Sequence, residues 1–162
     1  MPEAFVKGLN DNTRTNAVDL LNARLADVIS LAMAVKQAHW NLRGPGFIGV
    51  HELLDDVADR LRESSDLIAE RAVILGGIAR GTTEVVAEQT TMAAYPVEEK
   101  DIQMHIEALK DRFLAVGEKV RAAIGEAGEM GEDDVEDLFT EVSRQIDKDA
   151  WFIGANAPVP AS

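Results

Sequence analysis

Apolar residues recur three or four positions apart in four long stretches of this chain, and nothing alternates with period two over a useful length. This pattern predicts an all-α fold. The first stretch runs from about Thr15 to Asn41, with a start at Asn12 and Thr13 and with Gly44-Pro45-Gly46 beyond its end. Its segment from Val28 to Val35 is apolar nearly all round, which predicts burial on more than one side, within a bundle and against another subunit. The second stretch runs from about Phe47 to Leu75, with Val50, Leu54, Val57, Leu61, Ile68, Ala72 and Leu75 on one stripe and Gly76-Gly77 closing it. The third, from about Glu98 to Ile124 after Pro96, carries Ile102, Ile106, Leu109, Phe113, Val116 and Val120. The fourth opens in the acidic run Glu132-Asp133-Asp134 and sets Val135, Leu138, Phe139, Val142 and Ile146 on one face as far as Gly154.

Turns of a few residues join the first helix to the second and the third to the fourth, so each pair is expected to form an antiparallel hairpin. Residues 78–97 form a longer connection, able to run the length of the bundle at about 3.3 Å per extended residue and to hold a short helix at Glu84 to Gln89. The expected architecture is a four-helix bundle with one long crossover containing a short helix. With 162 residues and 46% hydrophobic content, the chain suits one domain, residues 1–162, with 1–14 as an N-terminal extension and 155–162 as a C-terminal tail.

Charge changes the picture more than size does. Sixteen Lys and Arg stand against 29 Asp and Glu, a formal net charge of −13 whose field repels phosphate backbones and attracts cations. Lys7 and Arg14 balance Glu3 and Asp11, and the tail from Ala155 carries no charged side chain, so neither end supplies a basic arm. Direct DNA binding is expected to be weak or absent. The chain has no Cys, which removes thiol catalysis and zinc-thiolate sites and suits a reducing compartment. Met1-Pro2-Glu3-Ala4 does not begin a signal sequence and no apolar run approaches a membrane span, so the expected location is the cytoplasm, with nucleoid association as the alternative.

Any metal must then be held by nitrogen and oxygen. His39, His51, Asp55, Asp66 and Glu70 fall within 32 residues, and His51/Asp55 and Asp66/Glu70 are both i, i+4 pairs. On one continuous helix the four lie at about 0°, 40°, 60° and 100°, one side of the cylinder, yet Asp55 and Asp66 are separated by about 16 Å of helical rise. No single metal site spans that distance. Either the pairs are unrelated surface charges, or two antiparallel copies of the chain bring each pair to the other's counterpart. Two imidazoles and three carboxylates suit iron, with zinc or manganese allowed by the same chemistry. The Glu-x-x-His motif of intrachain di-iron bundles is absent, since Lys36, Ile48 and Ile102 stand three positions before the three histidines.

These residues also carry a family resemblance. Lys36-Gln37-Ala38-His39-Trp40-Asn41-Leu42-Arg43-Gly44-Pro45, Phe47, His51-Glu52-Leu53-Leu54-Asp55, Asp66 and Ala69-Glu70-Arg71-Ala72-Val73 resemble the signature of the Dps family, the mini-ferritins of the ferritin-like superfamily. Tyr95-Pro96, Asp147-Lys148 and Trp151-Phe152 extend the likeness over about residues 12–154. The resemblance implies a hollow homo-dodecamer, a ferroxidase that oxidises Fe(II), preferentially with hydrogen peroxide, and stores ferric mineral, protecting the cell and its DNA from oxidative damage. It implies an intersubunit di-iron site in which His39, His51 and Asp55 of one subunit face Asp66 and Glu70 of its two-fold partner, with Zn as a substitute metal. A nucleoid-associated DNA-binding structural protein is the alternative function.

Trp40 points about 100° away from His39 around the helix and is expected mainly to pack. The resemblance adds a catalytic role for Trp40 as an electron donor beside the iron. Lys36, one turn before His39, is expected to be a solvated surface residue, although it can reach a ligand carboxylate. His105 is expected to be structural, and Trp151 to lie in a core or an interface. Glu132, Asp133, Asp134, Glu136 and Asp137 suit the positive end of a helix. In a cage, Asp133, Asp134 and Asp137 would line an iron entry pore.

Overall fold

A computed structural model describes residues 3–158 of the 162. Among the described residues the chain forms five helices and no strand: α1 (Asp11–Asn41), α2 (Phe47–Ile74), α3 (Thr83–Gln89), α4 (Ile102–Met130) and α5 (Asp133–Gly154). The all-α expectation holds, and the short crossover helix is α3.

The apolar stripes explain the packing. Val50, Leu54, Val57, Leu61, Ile68 and Ala72 of α2 are buried with Ile106, Leu109, Phe113, Val116 and Val120 of α4 and Val135, Phe139, Val142 and Ile146 of α5 in one core. Leu138 is only partly buried at its edge. α1 contributes Leu21, Leu25, Val28, Leu31 and Val35. The segment expected to be buried all round leaves Met33 exposed, 53% of its surface open to solvent.

Helix ends depart from the sequence reading at three points. Asn10 caps α1 through a side-chain bond from the Thr13 N–H, so residues 11–14 belong to the helix and not to an extension. Asp101 accepts from the N–H groups of Gln103 and Met104, so α4 starts later than Glu98. It also runs six residues past Ile124, to a left-handed Gly131, passing through Gly125 and Gly128. Part of the expected C-terminal tail, 159–162, lies outside the described residues.

α1 and α2 form an antiparallel hairpin, as do α4 and α5. The crossover leaves the end of α2 beside the start of α1, where Asn22 donates to the Ile78 carbonyl and accepts from the Arg80 N–H. It reaches the other end of the bundle, where Arg43 and Ile102 exchange backbone hydrogen bonds with their opposite segments. Midway, fully buried Asp27 accepts from Thr90 and from both the N–H and hydroxyl of Thr91. Buried Asp149 of α5 pairs with Arg60 of α2 at 2.7 Å, and Arg71 pairs with Glu132 at 2.6 Å. No helix of the described residues is long and apolar enough to cross a membrane.

Candidate metal centre

His39 lies in the last turn of α1 and His51 in the second turn of α2, so the connection between them fixes their relation. That connection turns on two glycines. Gly44 has φ +139° and a Cβ there would stand 2.7 Å from Ile102 Cγ2, while Gly46 caps α2 in the left-handed region at φ +80°. The reversal brings the two imidazoles into a stack with centroids 3.7 Å apart and planes 17° from parallel. Phe47 covers the His51 ring at 5.0 Å.

Each histidine braces the other's backbone. His39 Nδ1 lies 2.8 Å from the His51 carbonyl, and His51 Nδ1 lies 2.9 Å from the His39 carbonyl. A carbonyl only accepts, so both Nδ1 atoms carry hydrogen and, in the neutral rings, both Nε2 atoms present a lone pair. Metal-binding histidines are commonly oriented by this kind of second bond. Asp55, one turn beyond His51, places Oδ1 3.9 Å from His39 Nε2. The same oxygen takes the Lys36 ammonium at 2.5 Å, a correction to the solvated lysine expected from the sequence. That hydrogen bond, opposed by some desolvation, holds the Asp55 carboxyl below the usual aspartate range. His39 Nε2 and the Asp55 carboxylate therefore lie side by side, with the His51 ring stacked on His39 and the Lys36 ammonium on the same carboxylate.

Asp66 and Glu70 do not join them. α2 is one unbroken helix, so the rise of about 16 Å between Asp55 and Asp66 stands. Both residues are exposed and have no ion-pair partner among the described residues. Among the described residues no group of three or more His, Asp or Glu side chains is arranged to hold a metal ion within the chain. Asp66 instead lines a groove of about 700 Å³ with Lys36, Met33, Arg62 and Trp40. The indole of Trp40 is 68% exposed there, which corrects the expectation that it packs in the core; in this chain it is an open face. Trp151 is likewise outside the core, 67% exposed beside Phe152.

The acidic run divides. Glu132 is buried, accepts from the Val135 N–H and pairs with Arg71, which also reaches Asp134 at 3.0 Å. Asp133 and Asp137 stay exposed with no such partner among the described residues. His105 is buried on α4 between the Tyr95 hydroxyl and the Glu99 carbonyl, a pair that spacing along the sequence did not signal.

Residues 18–157 match the family described as the ferritin-like domain. Over 148 residues the chain is 44% identical to the DNA protection during starvation protein of Agrobacterium fabrum, covering 91% of each chain. It is 32% identical to the protein of that name from Mycolicibacterium smegmatis, covering 96% of this chain and 85% of the relative. Among solved structures, DpsC from Streptomyces coelicolor superposes with a TM-score of 0.92 at 31% identity, covering 100% of this chain and 95% of that one. The tetragonal form of Mycobacterium smegmatis Dps gives 0.90 at 32% identity, covering 96% and 93%. The chain belongs to the ferritin-like domain family and, within it, to the Dps proteins.

Proposed function

We propose that this chain, acting as a single ferritin-like domain, is a ferroxidase and iron-storage subunit whose oxidation site is completed between two copies. The observation that carries the reading is the reciprocal histidine brace. It leaves the Nε2 lone pair of each ring unused, that of His39 3.9 Å from the Asp55 carboxylate, a donor set suited to a divalent ion and incomplete without further carboxylates. Asp66 and Glu70, exposed along the same helix, are the carboxylates that a two-fold partner would bring. His39, His51 and Asp55 of one chain and Asp66 and Glu70 of the next then bind Fe(II), and Zn(II) competes for the same donors. Hydrogen peroxide accepts one electron from each of two ferrous ions and two protons, giving two waters and two ferric ions without releasing hydroxyl radical. Ferric product collects as mineral inside a homo-dodecameric cage in the cytoplasm. Asp133, Asp134 and Asp137 attract Fe(II) to an entry pore, and exposed Trp40 gives an electron when an oxidising equivalent escapes.

Peroxide-dependent Fe(II) oxidation, followed for the native protein and for His39→Ala and Asp66→Ala with native mass measured alongside, tests the assignment. Both variants are expected to assemble and to lose most of the rate; full activity in both rules out the five ligands.

The relatives' name favours a second reading, direct protection of DNA by binding. The net charge of −13 argues the other way, because nonspecific affinity for DNA comes from cation release by Lys and Arg. We expect no gel retardation at physiological salt; strong retardation there would restore the nucleoid-binding alternative.

A further inference from the structure

We propose that Tyr95 and His105 form a redox site, in which the phenol gives one electron to a radical oxidant while its proton crosses to His105 Nδ1. The Tyr95 hydroxyl stands 2.7 Å from His105 Nδ1, and His105 Nε2 stands 3.0 Å from the Glu99 carbonyl. Because that carbonyl only accepts, Nε2 carries the hydrogen and Nδ1 is a lone pair receiving the phenol O–H. The base is already in place, and it is 1% exposed to solvent.

Geometry makes proton and electron leave together. A phenol stripped of its electron alone becomes a ring cation, which the partly buried site and the Arg112 guanidinium 4.8 Å from the ring centroid both disfavour. Burial also pushes the phenol well above its ordinary value, so a phenolate is not the starting species. Transfer of the proton along the existing hydrogen bond leaves a neutral phenoxyl radical and a His105 imidazolium. The Glu99 carboxylate, anchored by the N–H groups of Lys100 at 2.7 Å and Asp101 at 2.8 Å, faces that imidazolium and offsets its charge.

Access comes through a neighbouring cavity. Tyr95 lines a cavity of about 560 Å³ together with Arg112, Met92, Met33 and Gln37, and the last two also line the groove that holds Trp40 and Asp66. The site thus lies next to the proposed oxidation centre without belonging to it. A hydroxyl radical that takes the electron becomes hydroxide. A ferrous ion returns the electron, becoming ferric, as His105 returns the proton.

Tyr95 is the only tyrosine in the chain, so a tyrosyl signal has one source. The metal-free assembled protein is exposed to radiolytically generated azidyl radical, a one-electron oxidant, which separates this test from the iron chemistry. A neutral tyrosyl EPR spectrum is expected in the native protein and not in Tyr95→Phe. Its formation should be independent of buffer base concentration and slower in D₂O. In His105→Gln the rate should fall about a hundredfold and become buffer-dependent, as expected when a positioned base is lost. Absence of the spectrum from the native protein, a native rate that rises with buffer base, or a native rate in His105→Gln would each overturn the proposal.

Discussion

A single hydrogen atom decides what His39 and His51 can do. With hydrogen on Nδ1, each ring is tied to a carbonyl and its Nε2 is free to bind; with the other tautomer neither would be. Helical arithmetic placed His51 and Asp55 on one face, yet it could not give ring orientation, because a spacing specifies a face and not a rotamer. It also could not pair Lys36 with Asp55, a contact between two helices that depends on the glycine turn. That pair makes a titration prediction. Asp55 is depressed when folded, so the pair contributes stability above the unfolded aspartate range and loses it as pH falls through the depressed value. In Lys36→Met, carboxylate NMR should show Asp55 returning toward the ordinary aspartate value; an unmoved titration would remove the ion pair as the cause. Asp149 poses the buried version of the same problem. It is fully enclosed and leans on Arg60 and Gln145, so Arg60→Ala should leave a charge without its main partner and cost about 3 kcal/mol in urea unfolding. A loss below about 1 kcal/mol would mean that water or Gln145 satisfies the carboxylate.

At the scale of elements, the stripes on α2, α4 and α5 were legible because one face of each is apolar and the other charged, and burial follows that division. Helix ends were less legible. Gly125 and Gly128 look like stops, but α4 continues through them because tertiary packing outweighs a penalty of about 1 kcal/mol per glycine and the left-handed Gly131 ends it instead. Nothing in the local pattern revealed what anchors the crossover, since Asp27 meets Thr90 and Thr91 across 63 and 64 positions. Removal of that anchor in Asp27→Ala should raise amide hydrogen exchange in residues 83–92 while leaving the α4–α5 hairpin protected. Uniformly faster exchange would show instead that Asp27 supports the whole bundle. The turn before α2 is the other long-range device. Gly44→Ala forces a Cβ against Ile102 at a positive φ, and we expect about 1–3 kcal/mol of destabilisation together with loss of the His39–His51 stack, visible as shifted imidazole NMR signals.

At the scale of the whole molecule, the length of α2 becomes a statement about assembly. Residues on one face of α2 but about 16 Å apart cannot hold the same pair of metal ions within a single chain, so the proposed site requires a partner. In that proposal the partner packs over the groove containing Trp40, Met33 and Asp66 and would cover the exposed indole. Complementation decides between this arrangement and two independent half-sites within a chain. His39→Ala alone and Asp66→Ala alone are each expected to be inactive, since every site then lacks one ligand. In a mixed dimer of the two variants, one of the two sites combines both defects, while the other takes intact His39, His51 and Asp55 from the Asp66→Ala chain and intact Asp66 and Glu70 from the His39→Ala chain. Co-expression of the two should therefore recover peroxide-dependent Fe(II) oxidation in proportion to the mixed interfaces formed, and each variant expressed alone should not. A site confined to one chain predicts no recovery in any mixture, because neither chain would hold a complete set. Recovery without mixed assemblies by native mass would point to oxidation away from these ligands altogether.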